Sequence, residues 1–313
     1  MQTILGANGQ IAVELARELH RNYTQNLRLV SRKPRKVNDT DELVSADLMN
    51  SAQTLEAVRG SEVVYFTAGL PPDTELWERQ FPAMLRNALD ATRAAGAKFV
   101  YFDNTYMYPQ SAQRQTEETA FAPVGRKGRV RALMAEMVLA EMQRGGIPVA
   151  IARAPEFYGP GKTQSITNTL VIGPLKAGQK AKVPVRDDKL RTLIWTPDAS
   201  RAMAAIGNAQ DAYGQTWHLP CWDERLTYQA FVNLAAATFG VEPRYKVLSH
   251  LAMVVAGWVS KPVRELRELL PRYAHDNVFD SSKFKRRFPD FAVTSYAQGL
   301  KQIAQESLNR PGF

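Results

Sequence analysis

The opening of the chain constrains the fold most, because a short apolar run is followed at once by a glycine-containing turn and an amphipathic segment. Residues 1–19 read Met-Gln-Thr-Ile-Leu, then Gly-Ala-Asn-Gly-Gln-Ile-Ala, then Val-Glu-Leu-Ala-Arg-Glu-Leu. This order predicts a strand, a turn and a helix. Gly6 allows a tight turn, Gly9 lets the backbone approach a pyrophosphate, and the small Ala12 lets helix and strand pack closely. Because a helix start presents free N–H groups, the stretch predicts a dinucleotide phosphate site.

The end of the next predicted strand, residues 27–30, indicates which dinucleotide this site prefers. In NAD sites an Asp or Glu at this position holds the ribose 2′-hydroxyl. Here the chain reads Ser31, Arg32 and Lys33, and a guanidinium with an ammonium would bind a 2′-phosphate. We therefore expect NADP(H) to be preferred over NAD(H). The alternative is that these cations only begin a polar loop.

Apolar strands alternate with amphipathic helices along the first half of the chain. The segments are strands at 27–30, 62–66, 98–102 and 148–152, and helices at 51–58, 75–95 and 129–144. This alternation predicts an α/β fold with a Rossmann-type doubly wound parallel sheet. Its ligand is expected at the carboxyl ends of the strands.

The domain boundaries are predicted from the point where this alternation loosens. Residues 1–160 form the predicted dinucleotide-binding Rossmann domain, and 190–220 return to it. Residues 161–189 and 221–313 form a smaller, mostly helical substrate lobe. Within that lobe, 251–259 is strongly apolar; we expect a packed core segment, and a membrane or partner surface is the alternative.

Composition excludes several classes of protein. The 313 residues include one cysteine and four histidines, so an internal disulfide is excluded and no metal site is expected. The net charge of +9 comes in short clusters without an aromatic-rich RNA motif, so no specific nucleic acid is expected. No apolar run is long enough to cross a bilayer. We expect a cytoplasmic protein that binds a small-molecule substrate and no membrane.

Further motifs follow the predicted strands in the same way as the opening glycines. They are Asp47-Leu48, Thr67-Ala68-Gly69, residues 103–108 (Asp-Asn-Thr-Tyr-Met-Tyr) and residues 153–160 (Arg-Ala-Pro-Glu-Phe-Tyr-Gly-Pro). With these motifs, nearly the whole chain resembles the extended short-chain dehydrogenase/reductase family, the NAD-dependent epimerase/dehydratase group. The resemblance implies hydride transfer to or from a carbonyl, alcohol or sugar-derived substrate, and it favours a homodimer.

The motifs and the resemblance together assign the cofactor-binding residues. These are Gly6, Asn8, Gly9, Gln10, Ile11, Ser31, Arg32, Lys33, Asp47, Leu48, Ala68, Gly69, Lys127, Pro155 and Phe157. Asp47 and Leu48 would bracket the adenine, although Asp47 is equally a candidate cap for the helix that begins near Ser51. The 153–160 loop would lie beside the nicotinamide, as the resemblance implies.

The catalytic pair is where the chain departs from the family. The family places a Tyr four residues before a Lys, with the phenol as general acid/base and the Lys lowering its pKa. Between Tyr108 and Tyr158 this chain has no tyrosine. Lys127 resembles the Tyr position and Arg131 the Lys position, and their spacing puts both on one helix face.

Three interpretations of Lys127 remain open from the sequence. It acts as an acid/base if its surroundings lower its pKa, it binds an anionic substrate or phosphate, or it is a solvated surface lysine. Asn104 stands at the family's Ser/Thr position, where an amide can donate a hydrogen bond to a carbonyl, and Thr105 follows it. Reserve proton donors are the tyrosines near the predicted site or in the C-terminal half: Tyr106, Tyr108, Tyr158, Tyr228 and Tyr273.

The leading hypothesis is an NADP(H)-dependent oxidoreductase or epimerase-like enzyme of the extended short-chain type. Its predicted catalytic residues are Lys127, Asn104, Thr105 and Arg131. The alternative is a noncatalytic NADP(H)-binding sensor or interaction protein, which would bind the cofactor without oxidising it.

Overall fold

We describe the chain from a computed structural model that covers residues 1–161, 163 and 165–308. The elements of its first half are β1 (Gln2–Leu5), α1 (Gln10–Asn22), β2 (Leu27–Ser31), β3 (Glu42–Ser45), α2 (Ser51–Val58), β4 (Val63–Phe66), α3 (Thr74–Ala95), β5 (Lys98–Asp103), α4 (Gly125–Arg144) and β6 (Val149–Arg153). The elements of its second half are β7 (Glu156–Tyr158), α5 (Gly173–Lys176), β8 (Ala181–Pro184), β9 (Leu190–Arg191), β10 (Leu193–Trp195), α6 (Thr196–Asn208), β11 (Gln215–His218), β12 (Leu226–Thr227), α7 (Tyr228–Phe239), β13 (Tyr245–Leu248), α8 (His250–Val259), α9 (Lys261–Leu266), α10 (Ser282–Arg287) and α11 (Tyr296–Leu308).

The chain packs as two compact units. The first consists of Met1–Met107, Arg126–Ala154 and Ala199–Leu219, and the second of Tyr108–Gly125, Pro155–Asp198 and Pro220–Phe313. The sequence pattern assigns segments 108–125, 155–160 and 190–198, and residue 220, to the Rossmann domain, but they pack within the second unit. Of the predicted returning segment 190–220, residues 199–219 belong to the first unit.

The first unit is built on a seven-stranded parallel sheet with the order β11-β6-β5-β4-β1-β2-β3. The chain runs from β1 outward to β3 and then returns to place β4 on the other side of β1, so the strand order reverses at β1. In open parallel sheets a ligand binds at such a reversal, beyond the carboxyl ends of the strands. The predicted Rossmann-type doubly wound fold is confirmed.

Apolar burial explains why these segments form strands and helices. The short runs of β1 and β4 are buried on both faces, as expected for strands covered by helices on each side. α1 buries one stripe, including Leu15 and Leu19, while Arg17 and Arg21 are exposed. Asp73 caps α3 by accepting a hydrogen bond from the Leu76 N–H at 3.0 Å, and Gly96 ends it in the left-handed conformation.

The second unit is mostly helical, as the sequence predicts, with three two-stranded pairs that it does not predict. β7 pairs with β10 and β8 with β13 in parallel, while β9 and β12 are antiparallel. Its core contains an aromatic cluster in which the Tyr158 ring centroid lies 5.7 Å from that of Phe231 and 5.6 Å from that of Tyr296. Cys221 is buried here, and burial raises its thiol pKa to about 12.

The apolar segment 251–259 is not packed core, and that prediction is wrong. It forms α8, whose Met253 and Gly257 are buried, but Leu251, Trp258 and Val259 are largely exposed. Local hydrophobicity alone could not distinguish a buried helix from an exposed apolar one. Across the part of the chain that the structure describes, no helix combines the length and apolar character needed to span a membrane.

Close packing of α6 on the sheet gives a test of the first unit. A Cβ atom at Gly207 would lie 2.1 Å from the Tyr65 hydroxyl oxygen. We expect Gly207→Ala to lower the free energy of unfolding by about 2 kcal/mol, because this overpacking outweighs alanine's better helix propensity. In a Tyr65→Leu background the same change should be neutral or stabilising. Urea unfolding of the unaltered protein, the two single variants and the double variant measures both effects. An equal loss of unfolding free energy from Gly207→Ala in both backgrounds would show that the Tyr65 side chain does not obstruct the added Cβ.

Candidate functional site

The turn after β1 is held between the ends of two neighbouring strands. The N–H groups of Gly6 and Ala7 both donate to the Val30 carbonyl at the end of β2, at 2.9 and 3.0 Å. Gly6 has a φ of +90°, and a Cβ atom on it would lie only 2.5 Å from the Ala68 Cα after β4. Only glycine fits this position, because the turn passes close to the backbone after β4 with a positive φ.

The start of α1 carries no side-chain cap. Gly9 is its N-cap residue, and the first turn contains no acidic side chain. A Cβ on Gly9 would meet its nearest atom, the Gly6 carbonyl oxygen, at 3.4 Å. Gln10 is half-buried and Ile11 is buried. The partial positive charge of the helix start is therefore not neutralised by a local carboxylate, which favours an anion there.

Three predicted residues at the end of β2 lie beside this turn. The Ser31 hydroxyl is buried and makes no hydrogen bond within the described residues. Arg32 and Lys33 are exposed, and neither forms an ion pair in the part of the chain that is described. Their backbone is fixed, because Asn8 Nδ2 donates to the Lys33 carbonyl at 2.7 Å and Ser45 Oγ to that of Arg32 at 2.9 Å.

Asp47 does not cap α2, so that alternative is wrong. The cap is Asn50, whose Oδ1 accepts from the Gln53 N–H at 3.0 Å. Asp47 Oδ1 instead accepts from the Met49 N–H at 3.0 Å, which leaves this exposed carboxylate at the end of the third strand. Leu48 is buried.

The ends of β4 and β5 carry the next predicted residues. Ala68 is half-buried and Gly69 exposed. Asn104 Oδ1 accepts from the Tyr106 N–H at 3.0 Å, which closes a turn directly after β5, and Thr105 is buried within it. The Asn104 oxygen is thus used locally, while its amide nitrogen is the group left to donate.

Lys127 lies buried near the start of α4. It is 2% exposed, and its Nζ donates to Thr74 Oγ1 at 2.6 Å. The same Nζ lies 5.8 Å from the centroid of the Trp77 ring, within cation–π range. The interpretation of Lys127 as a solvated surface lysine is therefore wrong, while the acid/base and anion-binding interpretations remain.

Arg131, one turn further along α4, lies on the same aromatic ring. Its Cζ is 5.2 Å from the Trp77 centroid and 4.5 Å from that of Phe81. Its Nη1 donates to the Tyr101 hydroxyl at 3.4 Å, and its Nε is buried without a hydrogen-bond partner among the described residues. Burial raises the pKa of Tyr101, the nearby Asp103 adds to the shift, and Arg131 opposes it. Tyr101 therefore stays a neutral phenol.

Comparison with known proteins identifies the family. The model of the NAD dependent epimerase/dehydratase family matches residues 3–218. The chain belongs to this family.

The chain also has a distant relative among curated proteins. 3beta-Hydroxysteroid-dehydrogenase/decarboxylase isoform 2 from Arabidopsis thaliana is 23% identical over 304 residues, which cover 83% of this chain and 51% of that protein. The chain thus spans about half the length of this relative.

Solved structures share the fold. UDP-glucuronic acid 4-epimerase from Bacillus cereus in complex with NAD matches with a TM-score of 0.79 and 14% identity, over 98% of this chain and 99% of that one. dTDP-glucose 4,6-dehydratase from Bacillus anthracis in complex with NAD matches with a TM-score of 0.77 and 15% identity, over 99% and 97% of the two chains.

The tyrosines that the sequence offers as reserve proton donors in this family member stack on other rings or donate hydrogen bonds within the protein. Tyr106 stacks on Trp77 with centroids 6.2 Å apart. In the second unit, Tyr108 donates to the Thr116 carbonyl at 3.0 Å and Tyr158 to the Ser295 carbonyl at 3.4 Å.

Two other reserve tyrosines share one carboxylate in the second unit. The hydroxyls of Tyr228 and Tyr273 donate to Glu156 Oε1 at 2.8 and 3.2 Å. Burial is the largest cause that raises the pKa of both phenols, and the Glu156 charge adds to it. The Glu156 carboxylate also pairs with Arg191 Nη2 at 3.2 Å. Pro155 precedes this carboxylate and is buried, and Phe157 follows it, half-buried.

Thr74 and Trp77 are the residues that sequence reasoning missed. Both lie in the first turn of α3, where Thr74 follows the capping Asp73. Capping residues predict where a helix starts, but no local pattern links Thr74 to Lys127, which is 53 positions away.

The two glycines of the turn should respond differently to the same substitution. Gly6→Ala is expected to lower the free energy of unfolding by about 3 kcal/mol, because it combines a left-handed backbone with a clash against Ala68. Gly9→Ala should cost only about 0.5 kcal/mol, since the added Cβ makes ordinary contacts. Urea unfolding compares the two variants. Similar losses of unfolding free energy in the two variants would contradict the close approach of Gly6 to Ala68.

Proposed function

We propose that the chain is an NADP(H)-dependent oxidoreductase or epimerase acting on a small carbonyl, alcohol or sugar-derived substrate. In it, Lys127 and Arg131 take the places of the family's Tyr and Lys. The observation that carries the proposal is the buried Lys127 ammonium, held at 2.6 Å by the Thr74 hydroxyl. A surface lysine retained by chance would not be buried on a hydroxyl and an aromatic face.

The residues at the strand ends fit a nicotinamide dinucleotide. The uncapped start of α1 suits the pyrophosphate, and the Gly6 turn leaves no Cβ in its way. Arg32 and Lys33 suit a 2′-phosphate, and the buried Ser31 hydroxyl would gain the partner that the described residues do not provide. When bound, such a cofactor supplies a hydride to, or accepts one from, the substrate carbon.

The chain's own residues would manage the proton and the charge. During reduction, the carbonyl oxygen gains negative charge, and the Lys127 ammonium can donate a proton to it and then recover one from solvent. Thr74 would hold the ammonium in place, and the Arg131 guanidinium would stabilise the oxyanion electrostatically. Asn104 can donate its amide N–H to the same oxygen.

Cofactor preference is tested by removing one cation. Arg32→Ala is expected to raise the Kd for NADPH about tenfold, because a charge-assisted bidentate contact to the 2′-phosphate is lost. The Kd for NADH should stay within about twofold, since NADH lacks that phosphate. Fluorescence titration measures both values. Arg21→Ala, an exposed arginine in the last turn of α1, is the matched control. Tighter binding of NADH than of NADPH by the unaltered protein would contradict the preference.

The catalytic role is tested at Lys127 and at its hydroxyl partner. Lys127→Met keeps the length of the side chain but carries no proton, so kcat for NADPH oxidation with a responsive carbonyl should fall about 100-fold or more. Thr74→Ala should lower kcat and shift its pH profile, while Thr74→Ser should restore both. The Kd for NADPH is measured in parallel to separate chemistry from binding.

The controls distinguish this proposal from its alternatives. Lys301→Met, an exposed lysine in α11, should leave turnover unchanged. If Lys127→Met raises KM for an anionic substrate while kcat is kept, Lys127 binds an anion and is not the acid. NADPH binding without oxidation across carbonyl, sugar-nucleotide and sterol substrates would favour the noncatalytic sensor.

A further inference from the structure

α8 presents an apolar face to solvent. Leu251, Val255 and Trp258 follow one another at helical spacing, and they are 72, 47 and 69% exposed, while the adjoining Val259 is 92% exposed. Single exposed apolar residues are ordinary on a protein surface. A contiguous face of large ones on one helix marks an interaction site.

The helix is fixed in its own unit through the opposite face. Ser249 caps it by accepting a hydrogen bond from the Ala252 N–H at 3.2 Å. Gly257 packs so closely that a Cβ there would lie 2.9 Å from Arg267 Cδ and 3.3 Å from Arg264 Cα. The exposed face is therefore held outward by a capped, packed helix.

Cations lie on the strand that leads into α8, on its partner strand, and in the sequence on both sides of the helix. Lys182 on β8 and Lys246 on β13 are register partners, and both are exposed. Like charges on paired strand positions repel each other. Between residues 241 and 272 there are six Lys and Arg side chains but three acidic ones, Glu242, Glu265 and Glu268. An anionic surface would relieve the repulsion and match the excess positive charge.

We propose that α8 docks the protein on an anionic lipid surface. The helix would lie in the plane of the headgroups, with Leu251, Val255 and Trp258 buried at the acyl boundary and Lys182 and Lys246 against lipid phosphates. Tryptophan suits this depth because its ring is apolar and its N–H is polar. The sequence-based expectation of no membrane partner is thus replaced by surface binding, which requires no membrane-spanning helix.

A second copy of the chain fits these observations less well. In a two-fold symmetric contact the same patch meets itself. Such a contact would bring the cations of both copies, Lys182 and Lys246 among them, to one interface, and the repulsion would increase. The charge pattern therefore favours an anionic surface as the occupant.

Vesicle co-sedimentation tests the docking surface directly. We expect the full chain to pellet with phosphatidylcholine vesicles that contain about one third phosphatidylglycerol, to stay in the supernatant with phosphatidylcholine alone, and to lose binding in high salt. A blue shift of tryptophan fluorescence should accompany binding and should disappear in Trp258→Phe, which keeps the apolar contact.

Matched variants separate the apolar and the charged contributions. Leu251→Ser combined with Trp258→Ser should reduce partitioning at least about tenfold. Leu55→Ser, which alters an exposed leucine of α2, should not. Lys182→Gln and Lys246→Gln should each weaken binding about fivefold, whereas Lys36→Gln in the first unit should not. Because serine and glutamine are tolerated on a surface, circular dichroism should show that every variant is folded.

Two results would overturn the proposal. One is a full chain that stays in the supernatant with the anionic vesicles, or an α8 double variant that binds them as well as the unaltered protein. The other is a concentration-dependent dimer in sedimentation velocity that the α8 double variant abolishes, which would assign the face to a second copy. Neither result depends on NADPH turnover, so failure here is distinguishable from failure of the proposed function.

Discussion

The close approach of the Gly6 turn to the backbone after β4 is the constraint on which the candidate ligand-binding edge of the first unit depends. Because a Cβ atom would lie 2.5 Å from the Ala68 Cα, the turn can pass between the ends of β2 and β4 only as glycine. That path brings the start of α1 to the point where the strand order reverses. It also places the buried Ser31 hydroxyl beside the turn, and a polar ligand is the simplest way to satisfy such a group.

In the proposed site an ammonium takes the place of the family's phenol, which changes the electrostatics of α4. Burying a lysine costs hydration energy, and the Thr74 oxygen and the Trp77 ring offset part of this cost. Arg131 adds a second cation on the same ring, with its Nε left unsatisfied within the described residues. A guanidinium with an unsatisfied buried N–H, next to a second buried cation, is stabilised by an anion. The arrangement therefore suits negative charge that develops on a substrate oxygen, or an anionic group of the substrate.

Much of the first unit could be predicted because its signals are local. Apolar strands, capped helices and the glycine turn each act over a few residues, and α2 spans the predicted 51–58. The candidate site could be predicted less completely, because the contact between Lys127 and Thr74 joins residues that are distant in the sequence. The prediction that residues 251–259 are packed core failed for another reason. Its hydrophobicity is the same whether it is buried or solvated, and only tertiary packing decides which.

The distribution of charge connects the two proposals. A net charge of +9 could be read as a general affinity for polyanions, but the cations occupy distinct environments. Arg32 and Lys33 stand exposed beside a helix start that favours anions, whereas Lys127 and Arg131 are held on an aromatic ring. Lys246 instead lies on the strand that leads into α8, with Lys182 on the partner strand, and α8 has an exposed apolar face. Nucleic acid would bind Arg32 and Lys33, or the cations near α8, by charge alone and would leave the apolar face of α8 in water. A lipid surface covers apolar and cationic groups at once, so it accounts for their presence together.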